Sequence, residues 1–276
     1  MNDKTVATQA LPGGELDLNK MPGHWLMARM GKRVLRPGGL ELTHKMLDDL
    51  DVQSSDLVVE FAPGLGVTAK LTLSRNPVRY TAVEPDQAAA DKVRTYLSGS
   101  NQQCLVASAE ETGLPPAQDT VVYGEAMLTM QSEQIKHRTV QEANRILRPG
   151  GRYAIHELCL VPDDINGALR KEIETALSNA LRVGARPLTS PEWRALLEAN
   201  GFEVQSESKA PAHLLRPKRL IQDEGLAGAV RFVLNVLRNR VARKRIRAIR
   251  RVFKQYDPHL EAIVLAAIKV NGRIGS

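Results

Sequence analysis

Residues 57–66 read Leu-Val-Val-Glu-Phe-Ala-Pro-Gly-Leu-Gly, and this stretch restricts the fold more than any other. An apolar, β-branched run ends in a Gly-rich turn, and Val67–Leu73 then reads as a helix. Strand, tight loop and helix N-terminus within so short a span predict an α/β unit that binds a ligand where strand gives way to helix. Gly64 and Gly66 let the backbone approach a ligand where a Cβ would collide, and the helix start offers N–H groups and a partial positive end. Glu60 closes the strand with a negative charge at the same mouth. That carboxylate suits a zwitterionic, partly cationic ligand and repels a pyrophosphate.

These residues resemble the first motif of S-adenosylmethionine-dependent methyltransferases of the Rossmann-like class, acid-x-Gly-x-Gly-x-Gly, with Ala62 where the first Gly stands. Gly64-x-Gly66-x-x-Ala69 also satisfies the dinucleotide fingerprint, which keeps an NAD-dependent oxidoreductase open at this point. A second strand, Arg79–Val83, ends at Glu84-Pro85-Asp86. Both fold types place an acid there to accept hydrogen bonds from ribose hydroxyls, and the proline stops the strand. A third strand, 104–107, leads to Ser108-Ala109-Glu110 and then Leu114-Pro115. This is similar to the methyltransferase pattern Asp-Ala-Glu with a following Leu-Pro, which implies that Ser108 and Ala109 face adenine, the serine hydroxyl replacing the usual acid. A fourth strand, 119–123, brings Tyr123, Gly124 and Glu125 to the end of the sheet where ligands bind in open α/β folds.

The run Arg145-Ile-Leu-Arg-Pro-Gly-Gly-Arg-Tyr-Ala-Ile is close to the family's Arg-x-Leu-x-Pro-Gly-Gly and precedes a fifth strand, 152–158. It raises the methyltransferase reading above the dehydrogenase one, which gives no account of it. Two helices, 24–35 and 41–50, come before the first strand; in the resembling family such helices cover the ligand mouth. Ser132 predicts the N-cap of a helix to 147, helix 165–181 follows the fifth strand, and Ser190 with Pro191 opens a helix to Ala199. Further strands fall at 202–208 and 260–270. The implied fold is α/β: a Rossmann-like, seven-stranded, mostly parallel sheet with helices on both faces, an N-terminal helical cover and a basic helical insertion before the last strand. Residues 1–20 read as a mobile leader and 21–276 as one methyltransferase domain, its core about 40–208 and 258–271, its insertion about 217–257.

The two cysteines neither pair in a C-x-x-C nor suffice for a disulfide scaffold, and the six histidines show no metal-ligand spacing. Asp3 interrupts the N-terminus, no apolar core of signal length follows, and nowhere do about 18 apolar residues run together. The expectation is a cytoplasmic chain without a bound metal. The net charge of +7 is local: between Gly225 and Tyr256 there are ten Lys or Arg and no acid, which leaves the remainder three units negative. Leu234, Leu237, Val241, Ile249, Val252 and Tyr256 keep an apolar helical stripe within that run. Such a basic amphipathic segment can pack on the domain with a solvated face, touch anionic lipid as a peripheral membrane contact, or wall an acidic substrate. Nucleic acid is disfavoured, because aromatics are few and no stacking platform is visible.

The sulfonium methyl of S-adenosylmethionine is already electrophilic, so the resemblance implies catalysis by alignment, with a base only where the nucleophile carries a proton. His156 and Glu157 at the end of the fifth strand are candidate catalytic residues, with strand alternation turning only one of them squarely to the cleft. Glu125 and His24 are further candidates. The cofactor-binding set is Glu60, Ala62, Gly64, Gly66, Glu84, Pro85, Ser108, Ala109, Glu110, Tyr123 and Gly124. The Asn/Asp-Pro-Pro-aromatic motif of nucleic-acid amino-methyltransferases is absent, Val122-Tyr123-Gly124-Glu125 standing in its place. The reading is a small-molecule methyltransferase whose acceptor is apolar, lipid-like or anionic. Its alternatives are the oxidoreductase and a non-catalytic adaptor that uses the basic insertion to bind membrane or RNA.

Overall fold

The computed structural model describes residues 16–270. Strands β1 (Leu57–Phe61), β2 (Arg79–Val83), β3 (Gln102–Leu105), β4 (Asp119–Glu125) and β5 (Leu147–Leu160) pair in parallel in the order β3-β2-β1-β4-β5. The β-branched and aliphatic runs that announced these strands are buried on both faces, as a parallel sheet between helices requires. Val59, Phe61 and Val122 serve one core, and Val58, Tyr80, Val121 and Tyr123 the other. Strands β7 (Phe202–Pro211) and β8 (Leu260–Lys269) complete the far edge, β8 lying antiparallel between β5 and β7. The strand order reverses between β1 and β4, and the carboxyl ends of these two strands open the cleft.

A two-residue strand, β6 (Leu188–Thr189), pairs with the end of β5, so the sheet has eight strands where seven were expected. Strand β5 begins at Leu147, and Arg148-Pro149-Gly150-Gly151 forms an irregularity in its pairing with β4 instead of a break before it. The helices α3 (Val67–Leu73), α4 (Gln87–Arg94), α5 (Glu133–Ile146), α6 (Gly167–Leu181) and α7 (Ser190–Glu198) connect the strands. Ser132 caps α5 as expected, accepting the N–H of Ile135. The cap of α7 is Thr189 rather than Ser190, because Thr189 and Glu192 satisfy each other's backbone N–H in a capping box.

Ahead of the sheet, α1 (Gly23–Arg29) is shorter than its apolar spacing suggested, ending before Gly31 at φ +101°. Pro37-Gly38-Gly39 does not merely stop a helix. Gly38 in the left-handed region caps α2 (Gly39–Asp49), and a Cβ on Gly39 would lie 2.3 Å from Asp223 Oδ1. The expected leader falls mostly outside the described residues; its last part, 16–20, turns against the insertion, where Arg245 Nη1 donates to Leu18 O at 2.8 Å.

The basic insertion is a helical hairpin, α8 (Pro217–Arg238) and α9 (Arg240–Gln255), with α8 broken at Gly225, φ 72°. Its inner face joins α1 in a core of its own that includes Met21, Leu26, Met27, Phe232, Val236, Ile246 and Ile249. Just before the break, Asp223 and Glu224 meet a fully buried Lys32 at 3.5 and 3.7 Å, and Glu224 Oε1 also accepts the backbone N–H groups of Arg33 and Val34, each at 2.8 Å. Burial pushes the Lys32 ammonium below its usual value, and the two carboxylates oppose that shift. No helix among the described residues is long and apolar enough to cross a membrane.

This cluster fastens the cover to the insertion, and removing one side strands a buried charge. Glu224→Ala is expected to lower stability by about 3–5 kcal/mol in urea unfolding, the cost of breaking a buried ion pair from one end; a loss under about 1 kcal/mol, the scale of an exposed pair, would show that the cluster carries no such role.

Candidate active site

A cavity of about 350 Å³ lies over the carboxyl ends of β1, β2 and β4, roofed by α1 and by the connector between α1 and α2. The Gly loop forms its floor through Ala62, Pro63, Gly64 and Leu65. Ala62 adopts φ 51°, the left-handed region that a Gly would occupy without cost. The two loop glycines do different work. A Cβ on Gly64 would face open space and the Trp25 ring of the cover at 3.9 Å, so this position lets α1 and a ligand come close. Gly66 is absent from the cavity wall; its Cβ would strike the Tyr96 ring at 2.8 Å, so here glycine serves packing. The Gly64 N–H donates to Glu84 Oε2 at 2.9 Å and the Gly66 N–H to Pro63 O at 2.9 Å. Both are therefore committed within the protein, and the loop lacks the glycine donors with which a diphosphate cradle would work.

Glu84 ends β2 and lines the cavity with Pro85 and Asp86. Its second oxygen accepts the N–H of Asp86 at 3.1 Å, so each carboxylate oxygen keeps a lone pair for a further donor. Burial raises its pKa, and the two backbone bonds oppose the rise. Asp86 in turn caps α4 through Ala89 N. Ser108, Ala109 and Glu110 also line the cavity.

Glu60 is 3% exposed and lies at the cavity, but one of its oxygens is occupied from beneath: Oε2 accepts the hydroxyls of Tyr80 and of Tyr123, the latter at 2.8 Å. Burial pushes its pKa up to about 7 against those two bonds, with the nearby Glu125 adding to the rise. Tyr123 thus points into the core away from the cavity, braced also by Thr72 at 2.6 Å, and Gly124 is enclosed by Met127 and Phe61; neither lines the site. Strand alternation turns Gly124 to the face opposite Glu125, whereas Tyr123 shares the face of Glu125 but stands two residues deeper in β4, where its hydroxyl meets Glu60 and Thr72.

Glu125 gathers donors from four segments. Thr43 of α2 at 2.6 Å and His156 Nδ1 of β5 at 2.8 Å reach Oε1, Thr68 of α3 bonds Oε2, and Arg36 Nε stands 3.1 Å from Oε1. Burial opposes ionisation, but Arg36, His156 and Thr43 outweigh it and hold this carboxyl at about 2. Arg36 is a charged side chain of this site that the sequence did not single out. It lines the cavity, is 8% exposed, and its Nη2 is buried with no hydrogen-bond partner. The only hint in the sequence was a further cation directly before Pro37-Gly38-Gly39.

The two residues at the end of β5 do not reach the cavity. His156 is wholly buried, its Nε2 facing Pro37 O at 2.8 Å and its Nδ1 facing Glu125. Glu157 accepts the N–H groups of Met127, Leu128 and Thr129 at 2.7 to 3.0 Å and the Thr129 hydroxyl at 2.7 Å, fixing the turn after β4. Alternation was expected to turn one of them to the cleft; both are instead consumed in holding its walls. His24 does line the cavity, edge-on to Trp25, and burial lowers its pKa to about 4, with Asp86 opposing. Its ring is neutral at pH 7.

Away from the carboxylates the cavity becomes apolar. Leu35 of the connector, Met127 and Met130 after β4, Leu181 of α6, Leu214 before α8 and Phe253 of α9 form this end. Among the described residues no cluster of His, Cys, Asp and Glu could hold a metal ion.

Residues 59–155 match the family model described as a methyltransferase domain. The chain is 28% identical to an uncharacterized protein of Haemophilus influenzae over 239 residues, 85% of this chain and 92% of that one. Among solved structures it is similar to the phosphoethanolamine N-methyltransferase 2 of Haemonchus contortus in complex with S-adenosyl-L-methionine, at TM-score 0.69 and 12% identity over 90% of this chain and 57% of that one. The cyclopropane synthase MmaA2 of Mycobacterium tuberculosis matches at TM-score 0.69 and 10% identity over 91% and 98%. At these identities the solved structures speak to the fold.

The two buried glutamates should leave opposite marks on stability. Glu60, raised from 4.5 to about 7, favours folding fully below pH 4.5 and loses that contribution as the pH rises through 7. Glu125, lowered from 4.5 to about 2, contributes above pH 4.5 and loses it as the pH falls toward 2. In urea unfolding followed against pH, Glu60→Gln should flatten the decline between pH 4.5 and 7, and Glu125→Gln the decline below 4.5; parallel profiles for parent and variant would refute the assignment.

Proposed function

We propose that the chain is an S-adenosylmethionine-dependent methyltransferase of the Rossmann-like class I, a reading supported by the methyltransferase-domain match over residues 59–155 and by the shared fold, and that it transfers the methyl group to a small, apolar or lipid-like acceptor. The observation that carries this reading is the two-part character of the cavity: acids and Arg36 where the sheet ends, and an aliphatic and aromatic chamber between the cover and the helical hairpin.

The residues at the polar end fit the cofactor. Glu84 has a free acceptor site on each oxygen for vicinal ribose hydroxyls, and Ser108 and Ala109, which line the cavity, would face adenine. Glu60 offers its remaining oxygen to a cationic amine, and the unpartnered Nη2 of Arg36 would be satisfied by the methionine carboxylate. When bound, S-adenosylmethionine supplies a methyl group on a sulfonium centre that needs no further activation. The protein's part is then to hold the reactants in line and to exclude water, a role for Trp25, which lies over Gly64, and for His24 beside it.

Glu125 is a poor general base. Four donors engage it and its pKa of about 2 leaves little affinity for a proton. Its role is positional: it orients Arg36 and ties the cover to β4. His156, sealed behind it, supports the same arrangement. The apolar end favours an acceptor recognised by burial, with affinity drawn from Phe253, Leu181 and Leu214 rather than from hydrogen bonds.

Calorimetric titration of the full chain with S-adenosylmethionine, S-adenosylhomocysteine, adenosine and NAD tests this reading. The first three should bind and NAD should not. Glu84→Ala should weaken S-adenosylmethionine by about 1–3 kcal/mol, the scale of a charged hydrogen bond. Arg36→Lys should weaken S-adenosylmethionine while leaving adenosine unchanged; equal losses for both ligands would remove Arg36 from the amino-acid end.

A further inference from the structure

We propose that the outer face of the α8–α9 hairpin is a docking surface for an anionic lipid bilayer. After the break at Gly225, α8 is apolar on two sides. Ala229, Phe232 and Val236 are buried against the cover, as a packed helix demands. Leu226, Val230, Val233, Leu234 and Leu237 are also large and aliphatic, yet they are 68, 49, 45, 42 and 50% exposed. Their spacing sets them along one outward stripe of the helix. Single exposed aliphatics are ordinary on any protein; five in a continuous stripe mark a surface that water is not meant to cover.

The charges around the stripe identify what covers it. From Gly225 to Tyr256 there is no acid. Of the ten cations in that span, Arg245 is buried and donates to Leu18 O, Met21 O and Ala180 O. None of the other nine, from Arg231 and Arg238 on α8 to Lys254 on α9, forms an ion pair with an acid among the described residues. An aliphatic stripe flanked by unneutralised Arg and Lys matches an anionic membrane surface, with the side chains of the stripe entering the acyl boundary and the guanidinium groups meeting lipid phosphates. Nucleic acid would use the cations but leave the aliphatic stripe wet, and the stripe holds no aromatic ring on which a base could stack.

The same hairpin closes the cavity: Phe253 of α9 and Leu214, just ahead of α8, stand in its apolar end. A protein docked through this face would therefore take a lipid-like acceptor from the bilayer into that end. This second step rests on the methyl-transfer reading; the docking does not.

The experiment is co-sedimentation of the full chain with vesicles of phosphatidylcholine alone and of phosphatidylcholine mixed with phosphatidylglycerol. The chain should sediment with the mixed vesicles only, and raising the salt should release it. Val230→Ser with Leu234→Ser, and separately Arg247→Glu with Arg251→Glu, should each weaken binding by about tenfold or more, while S-adenosylmethionine affinity, measured by calorimetry without vesicles, stays at the parent value. Leu234→Trp gives a readout independent of sedimentation: lipids brominated on their acyl chains should quench its emission beyond the quenching seen in the parent. Three results would overturn the proposal: no binding to the mixed vesicles, binding that the Val230 and Leu234 substitutions leave intact, or a twofold solution mass that those substitutions halve, which would give the face to a second copy. Displacement from the vesicles by a single-stranded RNA oligonucleotide that binds more tightly would likewise reassign it. Loss of cofactor binding in the parent, with vesicle binding intact, would sink the methyl-transfer reading and leave the docking surface standing.

Discussion

One carboxylate, that of Glu125, fixes how the pieces of this protein meet. It stands at the end of β4, beside the point where the strand order turns, and receives donors from the connector, α2, α3 and β5 through Arg36, Thr43, Thr68 and His156. A buried anion with so many donors is costly to move, because any segment that withdraws leaves it or its own donor unsatisfied. The cover therefore does not merely lie on the sheet. Arg36 and Thr43 are drawn to the cleft by a charge that only the sheet supplies, and the cavity beneath them follows from that attachment.

The two glutamates at the strand ends, Glu60 and Glu125, show how far surroundings override chemical identity. Both carboxylates are largely withdrawn from water at the carboxyl ends of neighbouring strands, Glu60 buried and the Glu125 side chain 8% exposed. Glu60 receives only two tyrosine hydroxyls, which cannot repay its lost hydration, and its pKa rises to about 7. Glu125 has a guanidinium and a histidine in reach and falls to about 2. The ionised Glu125 raises the cost of ionising Glu60, so a cationic ligand beside Glu60 would relieve it. A sulfonium amino acid is such a ligand, and the Gly loop below, its glycine N–H groups already committed, is poorly suited to phosphate.

The helical hairpin does two things with one set of residues. Its inner face, with Phe232, Val236, Ile246 and Ile249, completes a core that α1 could not close alone, and Lys32 with Asp223 and Glu224 locks the two together. Its outer face leaves an aliphatic stripe and a field of cations unmatched. A helix that only packed on the domain would carry polar residues there. Basic charge was readable as local from the sequence, but the exposure of Leu226, Val230 and Val233 depends on which side of α8 the cover occupies.

The sequence by itself determined the parallel sheet, the Gly turn between β1 and α3, the acid after β2 and the placement of a basic helical segment before the last strand, because these rest on local signals: apolar runs, glycine punctuation and charge density within a few turns of chain. It misjudged Gly66, which clears space for Tyr96, and it assigned Tyr123, Gly124 and one of His156 and Glu157 to a cleft that none of them lines. Strand alternation gives two faces, but not which face a distant donor will claim. Glu157 was taken by the backbone N–H groups after β4, His156 by Glu125 and Pro37 O, and Arg36 was brought in by an ion pair to a residue far along the chain. Only the tertiary structure decided these roles, since the orientation and protonation of a buried polar group are set by the partners that folding brings within about 3 Å of it, and those partners come from segments far apart along the chain.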